Sequence, residues 1–444
     1  MAQRSETPTT RRVAVVGTGY VGLTTGACLA SLGHHVQCCD VDRTKVERLS
    51  RGEVRIHEPG LGQLVRDGIR SGRLEFTHSS TAAVRRAEAI FLCVPTPMAP
   101  DGSANLAQVE SAVREVRDHL PADSLLVTKS TVPVGTAARL SELLDRRDVA
   151  VVSNPEFLRE GLAVRDFLNP DRIVVGTASA AAARRVSELY ARLEAPTVHT
   201  DSASAELIKY AANCFLATKL SYVNDLAELC ERVGADIGGI TECMAHDHRI
   251  ANSFLRPGPG WGGSCLPKDT AALLHAAEAI GADLPLVRAA VEANRRHQRR
   301  VVDKVVAMCG GSVTGVRVGM LGLAFKAGTD DLRDSPAIAV ARRLAELGAN
   351  LIAFDPALRG DEPGIPAGVS LADSAYQVAK GAGAVLVLTD WPEFRDLDWP
   401  QMVGLAEKPV IIDTRNLVDP RVLERAGAVF CGTGRAPNRD SGEL

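Results

Sequence analysis

Short apolar runs recur along this chain with helix-length stretches between them, and that rhythm limits the fold more than any other property. In the first part the runs are VAVVG (13–17), HVQCCD (35–40), AIFLCV (89–94), SLLVTKS (124–130), VAVVSN (149–154) and RIVVG (172–176). Alternation of this kind makes βαβ units and a mostly parallel sheet with helices on both faces. The rhythm stops after His199. Residues 201–234 read as one long helix, with Asp201 or Ser202 as N-cap and Gly234 as the stop, and further helices read at 236–245, 267–280 and 285–309. Strand–helix alternation resumes with VRVGMLGLAF (316–325), NLIAFD (350–355), AVLVLT (384–389) and PVIID (409–413).

The expected fold class is therefore α/β, with two doubly wound, Rossmann-like domains joined by a long central helix and a helical middle domain. The expected divisions are 1–200, 201–310 and 311–444. Charge narrows the partners. Lys+Arg 51 against Asp+Glu 54 gives a net charge of -3, so no basic field argues for nucleic acid. Arg295, Arg296, Arg299 and Arg300 fall in a helical stretch and read as a solvated face. No apolar run approaches the ~20 residues of a membrane span, and the polar start MAQRSETPTTRR lacks the apolar centre of a signal peptide. The 10 cysteines contain no C-x-x-C pair and sit mostly in apolar runs, which fits a reducing cytoplasm. Residues 1–10 and roughly the last ten read as disordered ends.

The first strand runs into GTGYVG, placing Gly17, Gly19 and Gly22 ahead of the helical run LTTGACLASLG. Glycines at this spacing let the backbone turn tightly and approach a pyrophosphate at a helix N-terminus. Asp40 closes the next strand, where a carboxylate meets ribose hydroxyls and repels the extra phosphate of NADP. NAD is the favoured cofactor, although Arg43 and Lys45 are cations able to tolerate that phosphate. The turn GMLGLAFK that opens the last section lacks the glycine spacing, so a second dinucleotide is not expected.

A second signal lies in FLRPGPGWGGSCLPKD (254–269). Cys265 follows a glycine-rich loop, Pro267 opens a helix and Lys268 stands beside it. A helix N-terminus and a nearby cation both favour thiolate over thiol. A redox cofactor with an activated thiol suggests oxidation through a covalent thioester. Two more runs end strands at the carboxyl edge, KSTVPVG (129–135) and NPEFLREG (154–161), the latter presenting Glu156 and Glu160 four apart, on one face if the turn is helical. On the long helix Lys209, Asn213 and Asn224 point in nearly one direction, as a solvent face or a buried polar site.

In order, GTGYVG, CVPTP, KSTVPVG, NPEFLREG, KYAANCFLATK, GWGGSCLPKD, FKAGTDDLRDSPA and DTRN resemble the UDP-glucose/GDP-mannose dehydrogenase family from Val13 to about Asp419. NPDRIVVG (169–176) and the GGSC spelling resemble its UDP-glucose branch, while Trp261 and Leu266 depart from the usual pattern. The resemblance implies NAD-dependent, four-electron oxidation of the primary alcohol of a sugar nucleotide, UDP-glucose to UDP-glucuronate, with GDP-mannose, a deoxythymidine diphosphate sugar or a UDP-hexosamine as alternative substrates. It implies Cys265 as nucleophile, Lys209 and Asn213 as oxyanion stabilisers, and Asp269 working with Lys209 in proton transfer. Thr131 and Glu160 would order the hydrolytic water, supported by Glu156. Tyr20, Val21, Lys45, Thr96, Thr131, Lys268 and Arg333 would lie at the cofactor. Phe157, Leu158, Phe254, Gly262, Phe325, Lys326 and Arg415 would lie at the substrate, and no metal is called for. A homodimer through the helical section would bring Arg249 near the neighbour's sugar, with an intrachain salt bridge as the other reading of that residue. Two rivals remain, a single-step 3-hydroxyacid dehydrogenase and a non-catalytic NAD-binding protein.

Overall fold

A computed structural model describes residues 10–360 and 362–438. The expected disordered ends, at residues 1–10 and roughly the last ten, fall largely outside the described residues. The chain divides into two compact units, one running to Ala212 with Ala271–Ala279 added, the other made of Asn213–Thr270 and Ile280 onward.

The first unit holds an eight-stranded sheet of β1 (Arg12–Val16), β2 (His35–Cys39), β3 (Leu74–Thr77), β4 (Ala89–Leu92), β5 (Leu125–Thr128), β6 (Ala150–Ser153), β7 (Ile173–Gly176) and β8 (Thr197–Thr200). Their order is β3-β2-β1-β4-β5-β6-β7-β8, and the pairs are parallel except β6 with β7, which meet antiparallel at Ser153 and Gly176. Burial on both faces explains the unbroken apolar runs. Along β1, Val13 and Val15 face one apolar core and Ala14 and Val16 the other. The chain reverses its direction of travel across the sheet between β1 and β4. The carboxyl edge at that point is where sheets of this kind bind ligands.

The second unit repeats the plan with six strands, β9 (Arg317–Leu321), β10 (Asn350–Phe354), β11 (Val369–Leu371), β12 (Ala384–Val387), β13 (Val410–Asp413) and β14 (Val429–Gly432). Their order is β11-β10-β9-β12-β13-β14, all parallel. Here the acid after β10, Asp355, is buried and accepts hydrogen bonds from the Leu323 and Ala324 N–H groups at 2.8 and 2.9 Å. Asp355 thus braces the turn that follows β9.

Between the sheets in sequence lie the long helix Ser202–Val233, the helices Ile237–His246 and Leu266–Ala279, and the helix Pro285–Met308. Asp201 caps the long helix by accepting from the Ser204 N–H at 2.8 Å, and Gly234 ends it with a left-handed φ of 74°. Strands β3, β8, β11 and β14 carry too little continuous apolar sequence, or lie too near other elements, to stand out in the chain. Among the described residues no helix is long and apolar enough to cross a membrane.

Candidate active site

In the first unit, the turn after β1 is shaped by glycine where no other residue fits. A Cβ on Gly22 would lie 1.9 Å from the Gly17 carbonyl oxygen and 2.9 Å from the Cys93 Cβ. A Cβ on Gly19 meets nothing within 4 Å, so the face before the helix Tyr20–Ser31 is open at the place a pyrophosphate would approach. Asp40 accepts from the Thr18 N–H (2.9 Å), the Thr18 hydroxyl (2.6 Å) and the Lys45 ammonium (2.8 Å). Burial acts to raise its pKa, but the donors from Lys45 and Thr18 outweigh it and hold it at about 2. A carboxylate charged at every physiological pH suits ribose hydroxyls and opposes a 2′-phosphate. Lys45 is drawn to Asp40. The open turn and the charged acid fit NAD.

Two other residues expected at the cofactor bind the frame. The Tyr20 hydroxyl pairs with Glu58 and accepts from the Gly161 N–H at 2.7 Å, and its pKa is pushed up, first by burial and then by Glu58. The Thr96 hydroxyl donates to the Thr131 carbonyl at 2.8 Å, joining the CVPTP and KSTVPVG segments. Val21 packs against the core.

Lys209 and Glu156 form an ion pair at 2.9 Å with side chains only 4% and 7% exposed. The expected helical turn under Glu156 and Glu160 is absent, because residues 154–159 take no regular structure. Instead Glu156 caps its own loop, accepting from the Leu158 N–H at 2.5 Å, while Phe157 lies under the Arg172 guanidinium at 3.8 Å. Thr131 and Glu160 are half-buried. A spacing of four implies a shared face only in a helix, and Pro155 between β6 and this loop favours extended backbone instead.

Sequence reasoning passed over two buried groups here. Glu206 accepts from the Gly135 and Ala137 N–H groups at 2.7 Å each, and burial, outweighing those donors, raises its pKa. Lys129 donates to the Asn154 side-chain oxygen at 3.1 Å and to the Tyr190 hydroxyl at 3.3 Å. A lysine ending an apolar strand was a legible anomaly, since lysine is rarely buried without a reason.

In the second unit, Cys265 is half-buried and directly precedes the helix Leu266–Ala279, with its sulfur 3.6 Å from the Ser264 hydroxyl. One turn on, Asp269 is fully buried and accepts from the Asn213 amide and the Lys268 ammonium, both at 2.5 Å. The cation expected to serve Cys265 is therefore paired with Asp269. Of the other cysteines, Cys28, Cys39, Cys93 and Cys214 are buried thiols pushed up by that burial to about 12.

An open cleft of about 410 Å³ in this unit is lined by Phe254, Trp261, Gly262, Phe325, Lys326 and Arg415, among others. Gly262 and Leu266, on either side of Cys265 in sequence, both belong to its wall. The glycine-rich loop is held by buried polar groups. Asn224 accepts from the Gly258 N–H (3.0 Å), Asn294 pairs with both backbone groups of Trp261 (2.9 Å each), and His297 meets the Gly258 carbonyl (2.7 Å). The polar stripe of the long helix is thus a buried one, with Lys209, Asn213 and Asn224 all below a tenth exposed. Lys326 lies 5.4 Å from the Phe325 ring centroid. The Arg415 guanidinium reaches the Leu388 carbonyl at 2.9 Å, and burial lowers its pKa against Asp390 and Asp413. Two cations on one cleft wall suit a diphosphate. Arg333 and Arg249 are exposed and bind Asp331 and Asp247. For Arg249 this is the intrachain salt bridge.

Comparison with known proteins covers most of the chain. The NAD binding domain of the UDP-glucose/GDP-mannose dehydrogenase family matches residues 11–194, its central domain matches 203–296 and its UDP binding domain matches 319–420. The chain belongs to that family. Among its relatives, the UDP-glucose 6-dehydrogenase TuaD of Bacillus subtilis is 42% identical over 437 residues, 96% of this chain and 93% of that protein. The UDP-glucose 6-dehydrogenase of Rhizobium meliloti is 41% identical over 434 residues, 96% of this chain and 99% of that one. A solved UDP-glucose dehydrogenase from Pyrobaculum islandicum superposes with a TM-score of 0.86 at 35% identity, over 98% of this chain and all of the other. As a family member the chain is an NAD-dependent dehydrogenase, and the open glycine turn and Asp40 lie within its NAD binding domain.

Proposed function

We propose that this chain oxidises the primary alcohol of UDP-glucose to the carboxylate of UDP-glucuronate, in two NAD-dependent steps through Cys265. The observation that carries this reading is Cys265 itself, a half-exposed thiol opening a helix, flanked by residues of a cleft that holds Lys326 and Arg415. NAD, when bound, accepts one hydride in each oxidation. The alcohol carbon gives up a hydride and its oxygen a proton, leaving an aldehyde. The Cys265 thiolate adds to that carbon and forms a thiohemiacetal. Loss of the second hydride leaves a thioester, and water attack releases the carboxylate and restores the thiolate. Lys209, held by Glu156, and Asn213, held by Asp269, stabilise the oxyanions of these steps. Asp269 takes part in proton transfer with Lys209. Thr131, Glu160 and Glu156 order the hydrolytic water, and Phe254 and the glycine-rich loop hold the sugar nucleotide.

Three functional parts, 1–200, 201–310 and 311–444, serve cofactor, assembly and nucleotide in turn. The enzyme works as a cytoplasmic homodimer. Support for the dimer comes from Phe215, Tyr222, Leu229 and Val233, which stand 68%, 55%, 53% and 66% exposed along one stripe of the long helix. Product analysis with UDP-, GDP- and deoxythymidine-linked hexoses tests the whole reading. UDP-glucose should yield two NADH per acid formed, and Cys265→Ala should abolish acid while leaving NAD binding intact. One NADH per product, or full turnover by the alanine variant, would remove the thioester.

A further inference from the structure

Lys129 is a buried charged group that the proposed chemistry does not use. It directly follows β5 and is 5% exposed. The ammonium donates to Asn154 and Tyr190 and lies 5.8 and 5.5 Å from the ring centroids of Phe167 and Tyr190. These partners do not depend on it. The Tyr190 hydroxyl already donates to the Asn154 oxygen at 2.6 Å, and the Asn154 amide to the Val174 carbonyl at 2.7 Å. Removing the amine would leave neither group orphaned, so a need for hydrogen-bond partners does not explain a lysine in this place.

Its position does. Lys129 stands two residues before Thr131, and Asn154 two residues before Glu156. The bond between them ties together the two strand ends that carry the hydrolytic groups. A cavity of about 200 Å³ is lined by Lys129, Asn154 and Glu156 among others. The charged and titratable groups acting on the amine are Glu156, Lys209 and Cys93, with Tyr190 in direct contact.

We propose that Lys129 is a positioning residue for thioester hydrolysis, aligning the Thr131 segment with Glu156 and supplying positive potential there. This rests on the Cys265 reading. In the hydrolysis, water adds to the thioester carbon, its two protons pass to the groups that order it and on to solvent, and the carbon–sulfur bond breaks to give carboxylate and thiolate. Burial, with Lys209 adding to it and Glu156 and Cys93 opposing, lowers the amine's pKa to about 8. The support it gives therefore fades as the pH rises through that region.

The test is Lys129→Met, measured by stopped-flow NADH release and intact-mass analysis of the quenched enzyme. The expected result is a first-turnover burst of wild-type size, at least tenfold slower steady-state turnover, and an acyl adduct on Cys265. The parent's hydrolysis rate should fall above about pH 8, and the variant should lack that limb. Wild-type steady-state turnover would overturn the proposal, and so would a burst that falls in step with turnover. If the methionine variant does not fold, Lys129→Gln is measured in the same way. Acid formation by Cys265→Ala would instead overturn the thioester reading, independently of position 129.

Discussion

Replacing Gly19 by alanine separates cofactor binding from folding. Gly19 has φ −65° and ψ −169°, extended backbone open to any residue, and its added Cβ meets nothing within 4 Å. The folded state should therefore lose only about 0.5–1 kcal/mol, the difference between glycine and alanine at an N-cap. With the pyrophosphate of NAD on this turn, the methyl group would stand between its oxygen and the helix N-terminus. Displacing that oxygen weakens one charge-assisted hydrogen bond, about 1.5–3 kcal/mol. The dissociation constant for NADH should rise by roughly ten- to a hundredfold. Titration by protein-to-nicotinamide energy transfer measures it, with thermal unfolding run beside it. Gly22→Ala is the contrast, because its Cβ would stand 1.9 Å from the Gly17 oxygen and must damage folding as well as binding. If Gly19→Ala binds NADH like the parent, the pyrophosphate does not lie on this turn.

Further outcomes follow from the other buried charges and from the apolar stripe. Asp269→Asn replaces one of two accepting oxygens by a donor facing Lys268 or Asn213, and should cost about 2–3 kcal/mol, less than a fully enclosed pair because Lys268 is 20% exposed. An unchanged urea midpoint would contradict that geometry. Lys129 has its pKa lowered from 10.5 to about 8, chiefly by burial, so folding favours its neutral form. The penalty is full below pH 8 and is relieved as pH rises from there towards 10.5. Lys129→Met should thus be more stable than the parent at pH 7 by up to about 3 kcal/mol, less the lost contacts, with the gap narrowing at pH 10. A gap independent of pH would speak against a buried amine. Phe215→Asp places a charge on the exposed stripe and should halve the mass seen by light scattering if the proposed homodimer packs there, whereas an unaltered mass would refute that contact.

Much of this was legible along the chain. The inner strands of both sheets showed as apolar runs because burial on two faces demands them, whereas β3, β8, β11 and β14 did not. The limits of the long helix showed because Asp201 and Gly234 are residues that caps require. Cys265 was legible from its glycine loop and the helix after it. The loop at Glu156 was not, since a spacing of four carries no direction outside a helix. Nor were Glu206, Asn294 and His297, whose roles depend on what lies across the fold.

Sequence alone determined the alternation of most strands and helices, the glycine turn after β1 and the place of Cys265 before a helix. These are local properties, written in the periodicity and the backbone demands of neighbouring residues. Tertiary structure alone decided which charges meet. It put Lys268 on Asp269, Glu156 on Lys209, Asn213 on an acid 56 residues away and Lys129 against a tyrosine 61 residues away. Such pairings depend on burial, because only where water is excluded must each polar group find its partner within the protein.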